Sequence, residues 1–189
     1  MLVILEGPDG GGKSTLGTYL ASQTGRPLLH SPGVTQGELE MKAWALRMLT
    51  SPLRDSLILD RFPLVSELIY GPVLRNRALI SRYHPLHTAW HRIPTTLIYC
   101  RPPIDVIREA VIAKSESQQL LANLPDIIKN YDQLISELVL AHAQGMSKIL
   151  VHTFDYTRDS MDLIVDAIQP AGQTSREYQP MLFREEHFK

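Results

Sequence analysis

The stretch Gly7-Pro8-Asp9-Gly10-Gly11-Gly12-Lys13-Ser14 constrains this chain more than any other part of it. It fits the spacing G-x-x-x-x-G-K-[ST] and lies between two readable elements. Before it runs the apolar "LVIL", Leu2 to Leu5, short enough to be a buried strand. After it comes a helical stretch from about Lys13 to Gln23, which Gly25 can end. A strand feeding through a glycine-rich turn into a helix predicts helices laid on the faces of a parallel sheet. The glycines let successive backbone N–H groups turn inward, and the helix N-terminus adds partial positive charge, so the turn suits a phosphate. On this reading Gly10, Gly11, Gly12, Lys13, Ser14 and Thr15 bind the nucleotide. Lys13 reaches the β- and γ-phosphates as a point charge, and the Ser14 hydroxyl is a ligand for Mg²⁺.

Short apolar runs then alternate with longer amphipathic stretches. "PLLHS" reads as the second strand, "SLILD" (Ser56 to Asp60) as the third, "TTLIYC" (Thr95 to Cys100) as the fourth and "KILVHTF" (Lys148 to Phe154) as the fifth. "ELEMKAWALRML" predicts a helix with Leu39, Ala43, Leu46 and Leu49 near helical spacing. A long helical segment, Ile104 to Gln144, is expected to break near Ser115–Ser117 and at Pro125. Asp159 to Ile168 reads as a last helix, with Asp159 at its N-terminus. The expectation is an α/β domain over residues 1–169, a five-stranded parallel sheet flanked by helices. A C-terminal tail, 170–189, has no period, and its Met181, Leu182 and Phe183 are read as part of a frayed end.

Composition narrows the function classes. With 189 residues there is room for one well-buried domain, and 44% hydrophobic against 21% charged residues excludes wholesale disorder. Nineteen Lys and Arg against 20 Asp and Glu exclude nucleic-acid binding by bulk charge, though not a local basic patch. The single Cys100 excludes a disulfide framework and a thiolate zinc site, and its apolar strand makes it a core residue. No apolar run approaches the ~18–20 residues of a membrane span, and Glu6 closes the opening run too early for a signal peptide. A cytoplasmic, membrane-free protein is expected.

A phosphate loop does not name a reaction; the far side of the site does. "LILDRF" puts Asp60 and Arg61 where the third strand ends, beside the loop in a parallel sheet. A carboxylate there can hold Mg²⁺ or accept a proton from the acceptor, and the arginine can clamp phosphate oxygens. Four pieces, "EGPDGGGKST" (Glu6 to Thr15), "SPG…GE" (Ser31 to Glu38), "DRF…S…Y" (Asp60 to Tyr70) and "YCRPP", together resemble the thymidylate kinase family of P-loop kinases. They span Met1 to about Asp105, and the rest is compatible through Ile168. The resemblance implies a P-loop kinase fold, ATP as phosphoryl donor and Mg²⁺ as cofactor. It also implies that Asp9 contacts the 3′-hydroxyl of the acceptor sugar, and that Asp60 and Arg61 are catalytic and phosphate-binding beside Lys13. Tyr70 falls in the acceptor site.

The chain departs from that family's pattern where the acceptor is read. His30-Ser31-Pro32-Gly33 stands where the family has Arg-Glu-Pro-Gly, and Gly71 replaces a thymine-reading glutamine. Arg108 and Lys114 are the only nearby cations in the first helix of the lid. These losses point to an altered acceptor. "DRFPLVSELIYGPVLR" looks more like viral relatives, one branch of which phosphorylates the hydroxymethyl group of 5-hydroxymethyluracil in DNA. From Leu68 to Ile104 there is no carboxylate, while Arg75, Arg77, Arg82, Arg92 and Arg101 fall inside, interleaved with Tyr83 and Trp90. The segment is either a solvated arginine-rich face or a surface for a polyanion, with Arg75 and Arg77 assigned to the acceptor. His84, His87 and His91 have near-helical spacing, but no carboxylate or cysteine completes a metal site.

Trp44 reads as core or as a wall of the acceptor pocket. Tyr131 and Asp132 read as the surface of one helical turn, with Tyr131 in reach of the acceptor cleft as the alternative. Phe154 to Arg158 is where family members wrap the adenine. The partners expected are ATP, a nucleotide or DNA acceptor and a second copy of the chain. A deoxynucleoside monophosphate kinase and a module that binds ATP without transferring phosphate are the rival functions.

Overall fold

A computed structural model describes residues 1–32 and 37–169. The expected frayed tail, 170–189, and Gly33 of the second motif lie outside the described residues. Five strands, β1 (Leu2–Glu6), β2 (Leu28–His30), β3 (Ile58–Asp60), β4 (Thr95–Cys100) and β5 (Ile149–Phe154), form one sheet in the order β2-β3-β1-β4-β5. Every pairing is parallel, with Leu5 opposite both Asp60 and Ile98, and His30 opposite Asp60. All residues of β1 and β4 are buried, which explains their nearly unbroken apolar sequences: a strand covered on both faces has no polar side.

The alternation of side chains along β1 divides the core in two. Leu2 and Ile4, with Leu59, Leu97 and Tyr99, pack under α2 (Glu38–Thr50), α3 (Pro63–Arg75), α4 (Pro85–His91) and α7 (Leu124–Ala143). Val3 and Leu5, with Ile58 and Ile98, face Leu16 and Leu20 of α1 (Lys13–Thr24) and Ile164 and Val165 of α8 (Met161–Ile168). Two short helices, α5 (Ile104–Ala113) and α6 (Gln118–Ala122), precede α7. Among the described residues no helix is long and apolar enough to cross a membrane.

Several expectations change in detail. Helix α2 buries Met41, Ala45, Met48 and Leu49, while Leu39 is 81% exposed and Leu46 50% exposed. Leu39-Ala43-Leu46 and Met41-Ala45-Met48 share one period, so spacing alone does not say which stripe meets the sheet. The long helical segment breaks at 114–117, as expected, and again at Asn123, so Pro125 marks the second break from inside the first turn of α7, where its missing N–H has no intrahelical partner to lose. Helix α8 starts after Ser160, whose hydroxyl accepts from the Asp162 N–H, and Asp159 instead accepts from the Asp155 N–H. The 61–94 region, left without elements by the sequence, holds α3 and α4.

Helix α3 ends at Asn76, whose φ of 59° is left-handed, and the chain folds straight back on it. A Cβ at Gly71 would lie 2.6 Å from Ala78 Cα and 2.8 Å from the Arg77 carbonyl oxygen. The missing side chain at 71 is therefore a packing requirement of this turn.

Candidate active site

The loop after β1 carries its phosphate-binding form in the backbone. Gly12 has φ of 84°, and a Cβ there would meet the Tyr156 ring at 2.7 Å, so the position is closed to other residues twice over. Lys13 is 6% exposed, and its Nζ donates to the carbonyl oxygens of Gly7 (2.9 Å) and Pro8 (2.7 Å). Burial, and next the nearby Arg61 charge, pull its pKa down to about 8. The Ser14 hydroxyl donates to Asp60 Oδ2 at 3.0 Å, and His30 Nδ1 lies 3.2 Å from the same oxygen. The two residues assigned to Mg²⁺ are thus in direct contact. Their hard oxygen atoms suit that ion, which takes one or two protein ligands and completes its shell with phosphates and water. Among the described residues no group of three His, Cys, Asp or Glu could hold a metal without such help.

Arg61 is the hinge of the site. Its φ of 70° is left-handed, rare for a side chain of this size, and its N–H donates to the Leu5 carbonyl at 3.0 Å. The guanidinium pairs with Asp9, approaches the hydroxyls of Tyr70 (3.2 Å) and Tyr131 (3.4 Å), and lies 5.0 Å from the Tyr70 ring centre. Tyr70 donates to the other Asp9 oxygen at 3.1 Å. Burial works against the Asp9 charge, but Arg61 and Lys13 outweigh it and hold its carboxyl below the ordinary range. Asp9 from the phosphate loop and Arg61 and Tyr70 from the Asp60–Tyr70 motif therefore form one cluster.

Glu6 carries the site and was not singled out by sequence. It is wholly buried; Oε1 accepts from the Phe62 N–H (2.7 Å) and the Ser66 hydroxyl (3.1 Å), and Oε2 from the Tyr131 hydroxyl (2.8 Å). Burial pushes its pKa up, against the pull of Arg61 and of the Phe62 N–H. Its one signal was a carboxylate closing an otherwise apolar strand. Tyr131 is likewise buried rather than on the surface, stacked on Tyr99 with ring centres 5.5 Å apart. Asp132, next in the chain, accepts from the Tyr99 hydroxyl at 2.6 Å and pairs with Arg101.

Two cavities of about 200 Å³ each meet at this cluster. One lies over the loop, between Lys13, Ser14, His30, Asp60 and Lys114. The other runs sideways between Pro32, Met41, Pro63, Leu74 and Arg75. Asp9, Ser31 and Arg61 line both. A third cavity, of about 630 Å³, opens on the far side of the loop beside Phe154, Tyr156 and Met161, where sequence put the adenine. Trp44 is half-buried, 6.2 Å from Phe62 between ring centres, and belongs to the core packing rather than to the side cavity.

The arginine-rich stretch is less cationic in space than in sequence. Arg75 Nη2 contacts both oxygens of the buried Glu67 at 2.7 Å, Arg82 pairs with Glu137, and Arg101 pairs with Asp132. Carboxylates outside the stretch thus pair with three of its five arginines. Of the two arginines assigned to the acceptor, Arg75 lines the side cavity, already paired, whereas Arg77 is exposed and is not among the residues lining it. Of the two lid cations, Arg108 pairs with Asp105 and Lys114 lines the loop cavity.

A parallel sheet in this strand order, with the phosphate-loop turn after its central strand and the Asp-Arg pair ending the neighbouring one, is the P-loop kinase fold. No protein-family model matches the sequence, and no curated protein does. Solved structures do match. The chain is similar to the YorR protein of Bacillus subtilis, solved in complex with phosphorylated GDP, at 18% identity and a TM-score of 0.68, over 89% of this chain and 93% of that one. It is also similar to deoxyadenosine kinase from M. mycoides with bound dCTP, at 18% identity and a TM-score of 0.57, over 89% and 98% of the two chains. At this identity the likeness speaks to the fold.

Proposed function

We propose that the chain is an ATP- and Mg²⁺-dependent phosphotransferase acting on a pyrimidine deoxynucleotide, with the hydroxymethyl group of 5-hydroxymethyluracil in DNA as favoured acceptor. One observation carries the choice of a hydroxyl over a phosphate. Both guanidiniums of the side cavity are neutralised by its own carboxylates, Arg61 by Asp9 and Arg75 by Glu67. A phosphomonoester acceptor brings up to two negative charges at neutral pH and needs uncommitted cations; an alcohol needs none.

In this reading Lys13 leaves the loop carbonyls for the β- and γ-phosphates. Ser14 and Asp60 would hold Mg²⁺, which would supply positive charge against the phosphates. The acceptor oxygen, at the junction of the cavities, forms a bond to the γ-phosphorus as the bond to the β–γ bridging oxygen breaks, and its proton passes to Asp9 or Asp60. The depressed pKa of Asp9 makes that group a better orienter than base. Arg61 stabilises charge on the transferred oxygens, which suits a reaction governed by positioning and electrostatics.

The YorR complex with a phosphorylated nucleotide favours a second reading, a free nucleotide as acceptor, in the manner of thymidylate kinases. A panel with radiolabelled ATP decides between them, offering nucleosides, nucleoside monophosphates, and DNA with and without 5-hydroxymethyluracil. Label on the modified DNA is the expected result. Efficient labelling of thymidylate alone, at any salt, overturns the acceptor; no transfer to anything, with ATP still bound, makes the chain a nucleotide-binding module.

A further inference from the structure

We infer that Glu6 is a positioning residue for phosphoryl transfer, holding Arg61 at the junction of the two cavities from inside the core; this rests on the phosphotransferase reading. Three features converge on this one carboxylate. It takes the Phe62 N–H and the Ser66 hydroxyl, the first groups after Arg61 and in the first turn of α3. It takes the Tyr131 hydroxyl from α7, and that oxygen is also 3.4 Å from Arg61 Nη1. It is fully buried, and Arg61 itself stands in a left-handed conformation that nothing in its side chain favours.

A strained backbone persists only where its surroundings over-determine it; Glu6 restrains the chain after Arg61 through Phe62 and Ser66, while the Arg61 N–H itself is held by the Leu5 carbonyl. The guanidinium is then fixed to Asp9 on one side and Tyr131 on the other, so it is set before substrate arrives. Glutamine is nearly isosteric, yet its amide nitrogen cannot accept from Tyr131. The phenol must turn, and its proton then competes with the Arg61 N–H.

The test uses the full chain as Glu6→Gln and Tyr131→Phe, the latter removing only the bridging oxygen. Turnover and KM for ATP are measured, with the melting temperature and the ¹⁵N-resolved guanidinium signals of a chain labelled at arginine. The expected result for both variants is a loss of kcat of ~10–100-fold, with KM for ATP changed less than ~3-fold. The Arg61 guanidinium should change from restricted to averaged rotation. A folded variant with kcat within ~2-fold of the parent and unchanged Arg61 signals overturns the inference. If Glu6→Gln does not fold, Tyr131→Phe decides by the same criteria. If the parent transfers phosphate to nothing, the functional reading falls, and the Arg61 signals alone decide whether Glu6 positions that side chain.

Discussion

Lys13 is the residue whose contacts differ most from its assigned task. Its ammonium is buried on the carbonyls of Gly7 and Pro8, with a pKa near 8. Phosphate binding requires the charged form, so above about pH 8 the nucleotide must bind together with a proton. ATP affinity is expected to fall as pH rises past 8, by at most ~10-fold per unit, with calorimetric proton uptake that vanishes in Lys13→Ala. A pH-independent Kd between 7.5 and 9.5 would contradict this. In the same variant transfer should drop by ~10²–10³ or more, the usual cost of removing a transition-state charge contact. Asp60→Asn keeps the size and hydrogen-bonding capacity of a side chain touching Ser14 and His30 while deleting its charge. It should lower kcat far more than it weakens ATP binding, and survival of kcat with only a rise in KM would remove Asp60 from the catalytic step. At this scale the motifs located Asp9, Lys13, Ser14, Asp60 and Arg61, because each stands at a fixed offset from a strand end. They did not reveal Glu6 and offered Tyr131 only as the alternative to a surface position, because the contact between the two spans 125 residues of sequence.

The elements show where periodicity runs out. The central strands β1 and β4 were legible because both faces of the sheet are covered there, and β2, β3 and β5 because each is a short, mostly apolar run closed by a polar residue. The face of α2 was not, since two stripes of equal period compete and the choice is made by Phe62 and α4. Nor was the turn after α3, where the absence of a glutamine at 71 looked like a change of base specificity. The chain at Arg77–Ala78 occupies that space. Gly71→Gln should therefore lower stability by about 1–3 kcal/mol, as overpacking does, and shift Tm by roughly 2–4 °C per kcal/mol without creating selectivity for thymidylate. A variant with unchanged Tm and a new preference for thymidylate would restore the functional explanation. In α4, burial and then His91, His84 and Arg82 hold His87 down to a pKa of about 4. The unfolded chain takes up this proton near pH 6.5 and the folded one only near 4, so this contribution to stability is present above 6.5 and is lost as pH falls towards 4. It should amount to roughly 1–3 kcal/mol, and His87→Gln should flatten the Tm profile over that window. An equally steep profile in the variant would place the acid sensitivity elsewhere.

At the scale of the molecule, a chain with near-zero net charge and a basic stretch proves to have paired that stretch with acids from α3 and α7. Among the described residues the loop edge of the sheet therefore carries adjoining cavities lined by paired charges, which the proposed function assigns to a donor and an uncharged acceptor group. This bears directly on DNA as acceptor. The sequence put Arg75, Arg77 and Arg82 together as phosphate contacts; in the structure they differ in how they are paired. Arg75→Ala would leave Glu67 buried at 2% exposure with only the Leu79 N–H, so its first effect should be a loss of stability. Arg82 would have to give up Glu137. Arg77, exposed just beyond α3, is the one of the three suited to a backbone phosphate. If the acceptor base is offered by a DNA strand, Arg77→Ala should weaken DNA binding and reduce the slope of log K against log salt by about 0.7 for a single strand or 0.9 for a duplex. ATP affinity and Tm should stay as in the parent. The slope is measured by anisotropy titrations between 50 and 200 mM salt, a range suggested by the steepness of such curves. An unchanged slope in Arg77→Ala, beside an Arg75→Ala variant that stays folded and loses one counterion, would return the phosphate contact to Arg75 and reverse the assignment.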